Sequence, residues 1–267
     1  MAVLARVVRL PLALALFALG LSPAFAVFGG KPVAGSDPVA RSVAAIIYRD
    51  STGAHLCTAS VLAPKLLLTA AHCTAGDRQS IKIVFGTSLM FIDSSQIRAA
   101  SEIVRADKTA VSKGMSAYED PDDVALVLLD AAAPAGTQIV RLADGTPAGA
   151  SIDVVGYGAT SDLRKPDAAG HQQLGFDQTL RSATMPLLSH GDGLLIADQT
   201  HGSGTCTGDS GGPAFLPGKA LTVVGVMIGV ASPRDNNDYC RGKAYFASVA
   251  RWTSWINATA ARFGQKL

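Results

Sequence analysis

Three short motifs, far apart in the chain, carry side chains that could together catalyse a hydrolysis. Ser210 lies in the glycine-rich stretch 202–215, GSGTCTGDSGGPAF, which runs into apolar residues. An alcohol needs a base to take its proton, and the oxyanion that follows needs backbone N–H donors directed at one point. Gly208 is suited to donate there, because no side chain fills the space. The stretch predicts a serine nucleophile, although its composition alone also fits a surface turn.

The two other motifs supply a candidate base and a candidate acid. Residues 68–73, LTAAHC, place His72 beside a cysteine, and residues 123–126, DVAL, begin an apolar run with Asp123. Each motif is weak alone, since a lone histidine is usually structural and an aspartate before a strand is usually a turn residue. In the order His, Asp, Ser the three motifs favour a catalytic triad.

These motifs, in this order, resemble the trypsin and chymotrypsin family of serine proteases, and the likeness extends from Val27 to the C-terminus. The resemblance implies that Ser210 attacks a peptide carbonyl, that His72 exchanges the protons and that Asp123 orients His72. The backbone amides of Gly208 and Ser210 would hold the oxyanion. It further implies a monomer that acts on polypeptides, is open to protein protease inhibitors, and uses no metal and no organic cofactor.

The pattern of the remaining chain predicts an all-β fold. Short apolar runs are separated by glycine, proline and aspartate at intervals mostly too short for helices, which favours antiparallel strands over an α/β fold. The runs are 43–48, 60–62, 81–85, 124–129, 152–157 and 221–228. An apolar spacing of about 3.6 residues from Val249 to Phe263 predicts a C-terminal helix.

The family resemblance turns this pattern into a domain plan. It implies two antiparallel β-barrels with the triad in the cleft between them. We expect the first barrel at about 27–140, the second at about 141–248 and the helix at about 249–263. His72 and Asp123 would come from the first barrel, and Ser210 from the second.

Residues 1–26 have the features of a secretory signal peptide. Arg6 and Arg9 precede an apolar run at 10–21, and Ala24-Phe25-Ala26 fits the small-x-small cleavage rule. An uncleaved anchor is the alternative, but the run is shorter than the about 20 residues of a spanning helix. Cleavage would remove two arginines and leave a formally neutral chain. We therefore expect a periplasmic or secreted protein with no nucleic-acid partner and no membrane attachment after cleavage.

Four cysteines, all after residue 26, favour disulfides in an exported chain. Zinc is the structural alternative, but neither C-x-x-C nor H-E-x-x-H spacing occurs. The count leaves the connectivity open. Resemblance to the family pairs Cys57 with Cys73 and Cys206 with Cys240.

Specificity is also inferred from the resemblance. It places four residues around the pocket for the residue before the scissile bond: Gly204, Thr205, Gly229 and Ala244. Gly204 stands where members that cleave after Lys or Arg have an aspartate, and Ala244 narrows the pocket opposite Gly229. We expect small or medium apolar side chains to be preferred. Asp235 or Asp238 could still supply charge from an inserted loop.

The N-terminus of the mature chain predicts how the enzyme is activated. Family members are switched on when cleavage frees an Ile or Val amine, which pairs with the acid just before the catalytic serine. Val27 follows the expected signal cleavage site directly, and the acid is Asp209. Signal peptidase itself would then make the active form. A non-catalytic binding protein on the same fold is the alternative function, since some relatives have lost activity.

Overall fold

The computed structural model of the chain describes residues 27–107, 119–145, 151–160, 175–219, 221–231 and 240–267. The expected signal peptide at 1–26 lies outside these residues, as do Asp235 and Asp238. In chain order the strands are β1 (Lys31–Pro32), β2 (Val43–Asp50), β3 (Gly53–Ala63), β4 (Leu66–Thr69), β5 (Lys82–Phe85), β6 (Ile97–Arg105), β7 (Ala125–Leu129), β8 (Arg141–Leu142), β9 (Ser151–Gly156), β10 (Arg181–Gly191), β11 (Leu194–Asp198), β12 (Pro213–Phe215), β13 (Thr222–Ala231) and β14 (Lys243–Ser248). A C-terminal helix, α1, spans Val249–Arg262.

The first barrel is a closed antiparallel ring in the order β2-β3-β4-β7-β6-β5, with β5 pairing back to β2. Its first hairpin is set by Asp50, whose carboxylate accepts hydrogen bonds from the Thr52 and Gly53 amides, so the chain reverses between β2 and β3. β4 is buried along its whole length, because it packs between two neighbours inside the closed ring. Aliphatic side chains fill the interior, among them Ile46, Leu66, Ile83 and Leu126.

The second barrel is also closed. Its strands follow the order β10-β11-β14-β13-β12-β9, and β9 pairs back to β10. Two short strands extend it, β1 beside β10 and β8 in parallel beside β13. The expected fold of two antiparallel barrels with a C-terminal helix is confirmed.

Helix α1 follows β14 and packs its apolar side, with Val249, Ile256 and Ala260, against the body of the protein. It also reaches the segment that precedes Asp123. The Trp252 indole donates to the Pro121 carbonyl at 2.8 Å. No helix in the described stretches has the length and apolarity needed to cross a lipid bilayer.

Candidate active site

His72 lies in a single 3₁₀ turn, Ala71–Thr74, directly after β4. A disulfide between Cys57 on β3 and Cys73 fixes this turn against the strand, with the two Cα atoms 5.9 Å apart. The Tyr48 hydroxyl donates to the His72 carbonyl at 3.3 Å. The turn is therefore held from two sides, while the imidazole stays partly exposed to solvent.

Asp123 precedes β7 and faces His72. One carboxylate oxygen accepts from the His72 amide at 2.8 Å, and the other lies 2.6 Å from His72 Nδ1. This pairing fixes the ring plane and assigns the proton to Nδ1, so Nε2 is left as the basic nitrogen. The carboxylate is almost fully buried, and burial of a charge is sustained by such hydrogen bonds.

The neighbour of Asp123 is held by α1. The Arg251 guanidinium lies 3.0 Å from the Asp122 carboxylate, beside the Trp252–Pro121 hydrogen bond. The C-terminal helix thus fixes a loop that belongs to the first barrel. Residues 129 positions apart in the chain are thereby brought together beside Asp123.

Ser210 lies in the loop between β11 and β12 and lines a cavity of about 600 Å³ together with His72. Within this structure the two side chains do not hydrogen bond to each other. Catalytic hydrogen bonds of this kind commonly tighten when substrate fills the site. A second cavity of about 690 Å³ is lined by residues of the segment 29–39 and by second-barrel residues, and none of its described lining residues is a histidine or a cysteine.

Thr58 on β3 ties the serine loop to the first barrel. Its amide donates to the Ser210 carbonyl at 2.8 Å, and its hydroxyl donates to the Gly208 carbonyl at 3.1 Å. These bonds give the two carbonyls partners on β3 and hold the serine loop against that strand. Sequence reasoning missed this residue, although the motif around Cys57 could have drawn attention to it.

The amides of Gly208 and Ser210 have no protein acceptor among the described residues. Gly208 has φ +98°, a conformation that favours glycine, and a Cβ there would lie 2.9 Å from the Gly158 Cα atom. Two adjacent, unoccupied N–H donors beside a serine hydroxyl can hold a developing negative charge.

One of the four residues expected around the specificity pocket lines this cavity. Gly229 lines the cavity, and so does its neighbour Val230, whereas Gly204, Thr205 and Ala244 are buried outside its lining. Ala244 is the cross-strand partner of Val230.

Gln199 occupies the space next to Gly204. Its side chain is fully buried, its Oε1 accepts from the Thr205 amide at 3.0 Å, and a Cβ on Gly204 would clash with that oxygen. Its Nε2 has no hydrogen-bond partner within the part of the chain that the structure describes. No sequence signal pointed to this glutamine. A second disulfide, Cys206–Cys240, closes the same region.

Asp209 is buried beneath the serine loop. Its carboxylate accepts from the Gly158 amide at 2.8 Å and from the Cys206 amide at 2.9 Å. Desolvation raises the pKa of Asp209 to about 7 despite these two hydrogen bonds, and no cationic side chain in the described stretches contacts it.

Val27 is fully buried and packs among second-barrel residues. The Gly204 amide donates to the next residue, Phe28, at its carbonyl. The segment that would become the N-terminus therefore runs into the second barrel, the barrel whose serine loop carries Asp209.

The family model called Trypsin matches residues 29–256. The chain belongs to the trypsin family. Trypsin of Saccharopolyspora erythraea is 30% identical over 215 residues, which cover 73% of this chain and 85% of that protein. Trypsin alpha of Drosophila melanogaster is 26% identical over 238 residues, which cover 86% of this chain and 88% of that protein. Neuropsin, a serine protease expressed in the limbic system of mouse brain, shares the fold with a TM-score of 0.66 and 22% identity over 86% of this chain and 98% of its own.

Membership of the trypsin family makes the chain a serine endopeptidase that acts on polypeptides. The two disulfides and the family's usual secretion agree with an exported protein.

Gly158→Ala should abolish most activity while leaving the fold intact. A Cβ at this position would lie 2.5 Å from the Asp209 carboxyl group, so the acid and the serine loop behind it must shift. We expect active-site titration to fall at least about tenfold. Gly35→Ala is the matched control, since a Cβ there meets nothing within 4 Å. An equal fraction of active sites in the two variants would contradict the inference that a side chain at position 158 displaces Asp209 and the serine loop.

Proposed function

We propose that this chain hydrolyses peptide bonds through a triad of Ser210, His72 and Asp123 and a covalent acyl-enzyme. The observation that carries the proposal is the pairing of His72 with Asp123, at 2.6 Å from Nδ1, beside a cavity that Ser210 also lines. In the neutral imidazole this pairing places the proton on Nδ1, so Nε2 is the nitrogen that can act as a base.

In the first half of the reaction, His72 Nε2 takes the Ser210 hydroxyl proton as Oγ bonds to the substrate's carbonyl carbon. The carbonyl π electrons move onto oxygen, and the amides of Gly208 and Ser210 hold that oxyanion. His72 then donates the proton to the departing amine as the C–N bond breaks. In the second half, His72 takes a proton from water as the water oxygen bonds to the acyl carbon, and then returns that proton to Ser210 Oγ as the acyl C–O bond breaks.

The oxyanion donors account for a substantial part of the rate. Each preorganised donor of this kind contributes roughly 3 kcal/mol to transition-state stabilisation. Thr58 supports both donors, because its hydrogen bonds to the carbonyls of Gly208 and Ser210 hold the loop with its amides unpaired. Asp123 stabilises the imidazolium that forms on His72.

A fluorophosphonate probe tests the nucleophile directly. The probe phosphonylates an activated serine and should label Ser210, identified by peptide mapping, and fail to label heat-denatured protein. A folded protein that stays unlabelled would favour the alternative, a binding protein on the same fold.

We also infer that the pocket before the scissile bond takes small or medium apolar side chains. Val230 narrows the cavity beside Gly229, and Ala244 is the cross-strand partner of Val230. Gln199 fills the space next to Gly204. None of the described residues that line the cavity carries a carboxylate. A long cation would find neither room nor a counter-charge.

A cleavage profile on a peptide library should show Ala, Val or a similar residue before the scissile bond. Val230→Gly should shift the preference toward larger apolar residues by about tenfold in kcat/KM, since it removes a side chain from the wall. Gly204→Asp should not create cleavage after Lys or Arg, because its Cβ meets Gln199. Dominant cleavage after Lys or Arg in the natural protein would overturn the assignment.

We propose that the protein is exported and that signal cleavage before Val27 activates it. Support comes from the burial of Val27 and from an Asp209 carboxylate that has two amide donors but no cationic side chain among the described residues. The new ammonium would supply that missing charge.

A further inference from the structure

Three consecutive large apolar side chains are exposed between β5 and β6. Met90 is 62% exposed, Phe91 84% and Ile92 37%, and we call these three residues the apolar loop tip. Single exposed apolar residues are common on protein surfaces, but contiguous ones mark interaction sites.

The loop tip is held in place at both ends. On one side the Leu89 amide donates to the Gln178 carbonyl at 2.8 Å, and Ser88 bridges Thr179 of the second barrel. On the other side Asp93 accepts from the Ser95 amide at 2.8 Å in a capping box that begins a 3₁₀ turn. A tip that is fixed before binding loses little conformational entropy when a partner covers it.

The loop tip continues an apolar wall of the catalytic cavity. Leu89, its immediate neighbour, lines that cavity with Leu56 and Phe176. The last two also flank the oxyanion donor, since a Cβ on Gly208 would lie 3.4 Å from each of them. Leu89 is itself buried, and the exposed tip begins at the next residue, so the tip directly follows a residue of the apolar cavity lining.

On the proposed mechanism, this wall would take the part of the substrate after the scissile bond. Met227–Val230 of β13 and Ser210 line the same cavity, and the β13 residues are assigned above to the residue before the scissile bond. The chain after the scissile bond would then run beside Leu56, Phe176 and Leu89, which supply apolar lining elsewhere in the cavity.

We propose that the apolar loop tip is a docking surface for apolar residues of a polypeptide substrate, several positions after the scissile bond. The inference rests on the proposed peptidase function and adds a second point of recognition to it. Continuity with the catalytic cavity identifies the occupant, because a substrate chain that leaves Ser210 along this wall reaches the tip next. Binding energy gained there favours long substrates over short ones.

The test compares substrates with and without residues after the scissile bond. A peptidyl p-nitroanilide has none, whereas quenched fluorescent peptides can carry six residues there, either Leu and Phe or Ser and Gly. The natural protein should cleave the apolar version about tenfold faster in kcat/KM than the polar one. Met90→Ser combined with Phe91→Ser should abolish that preference and leave p-nitroanilide hydrolysis unchanged.

Leu188→Ser is the matched control, because Leu188 is 51% exposed on β10 and does not line the cavity. It should keep the preference of the natural protein. A preference that survives in the double variant would overturn the docking surface, and so would a parallel fall in p-nitroanilide hydrolysis. A natural, folded protein that cleaves no p-nitroanilide would contradict the proposed peptidase function. This result differs from a failure of the docking surface alone, in which p-nitroanilide hydrolysis by the natural protein is retained.

Discussion

Ser210→Ala should leave a folded protein that hydrolyses peptides about a million-fold more slowly. The change removes only the nucleophilic oxygen, while the backbone bonds from Thr58 to Ser210 and Gly208 stay in place. Residual hydrolysis should remain above the uncatalysed rate, because the two amide donors and the substrate cavity are still present. Steady-state kinetics on a peptidyl p-nitroanilide, at matched concentrations of folded protein, measure the loss.

His72→Ala should reduce the rate of peptide hydrolysis about as much as Ser210→Ala does. The variant that combines both changes should hydrolyse peptides no more slowly than either single variant. The hydroxyl and the imidazole act as one unit, so removing the second group takes away nothing that still works. Ser203→Ala, in the same glycine-rich stretch, is the control and should keep full activity. Additive losses, or normal turnover in Ser210→Ala, would show that hydrolysis uses another nucleophile.

One extra residue before Val27 should reduce the fraction of active enzyme about a thousandfold. The extra residue moves the ammonium away from the second barrel, and Asp209 is left buried with two amide donors and no cation among the described residues. Desolvation then raises its pKa from 3.8 to about 7. A shift of this size corresponds to a cost on the order of 4 kcal/mol for keeping the carboxylate charged at neutral pH.

The direction in which stability changes with pH distinguishes the form with an extra residue before Val27 from the natural form. In the extended form the raised pKa of Asp209 makes the folded state bind a proton more tightly, so the contribution of Asp209 to stability is greatest below about pH 4 and is lost as pH rises to about 7. In the natural form the proposed ammonium would pair with the carboxylate, and that contribution would be lost as pH rises through the amine pKa, raised above its ordinary value of about 8. The two forms should therefore differ most near neutral pH.

Active-site titration and thermal unfolding at acidic, neutral and alkaline pH measure this difference, with each terminus confirmed by mass spectrometry. Asp209→Asn provides the control in both backgrounds: without the carboxylate, the extra residue should change stability little. Full activity of the extended form would show that the amine is not the switch.

The order His, Asp, Ser predicted the family, the short apolar runs predicted antiparallel strands, and the resemblance to the family implied two barrels; the family and the fold are confirmed. This information is local. Period-two patterns and turn residues specify strands, and motif order specifies which strands carry the reacting groups. The assignments of catalytic roles to His72, Asp123 and Ser210 remain predictions that the kinetic tests address.

Long-range packing decided what the sequence could not. Thr58 supports the serine loop only because two barrels meet there, and Gln199 fills the space beside Gly204 although five residues separate it from Thr205. A register shift in β13 between Met227 and Gly229 determines that Val230, as well as Gly229, faces the cavity. Shifts of this kind change which side chains face inward without any marker in the sequence.

The exposure of Met90 and Phe91 is likewise a tertiary result. The four residues from Leu89 to Ile92 are all apolar, and nothing local in the sequence distinguishes an inward from an outward side chain. In the structure Leu89 is buried, whereas the next three residues are exposed between the Ser88–Thr179 bridge and the capping box at Asp93. The sequence by itself determined the chemistry of the residues and the class of fold, whereas contacts between the barrels decided which residues meet and which stay exposed.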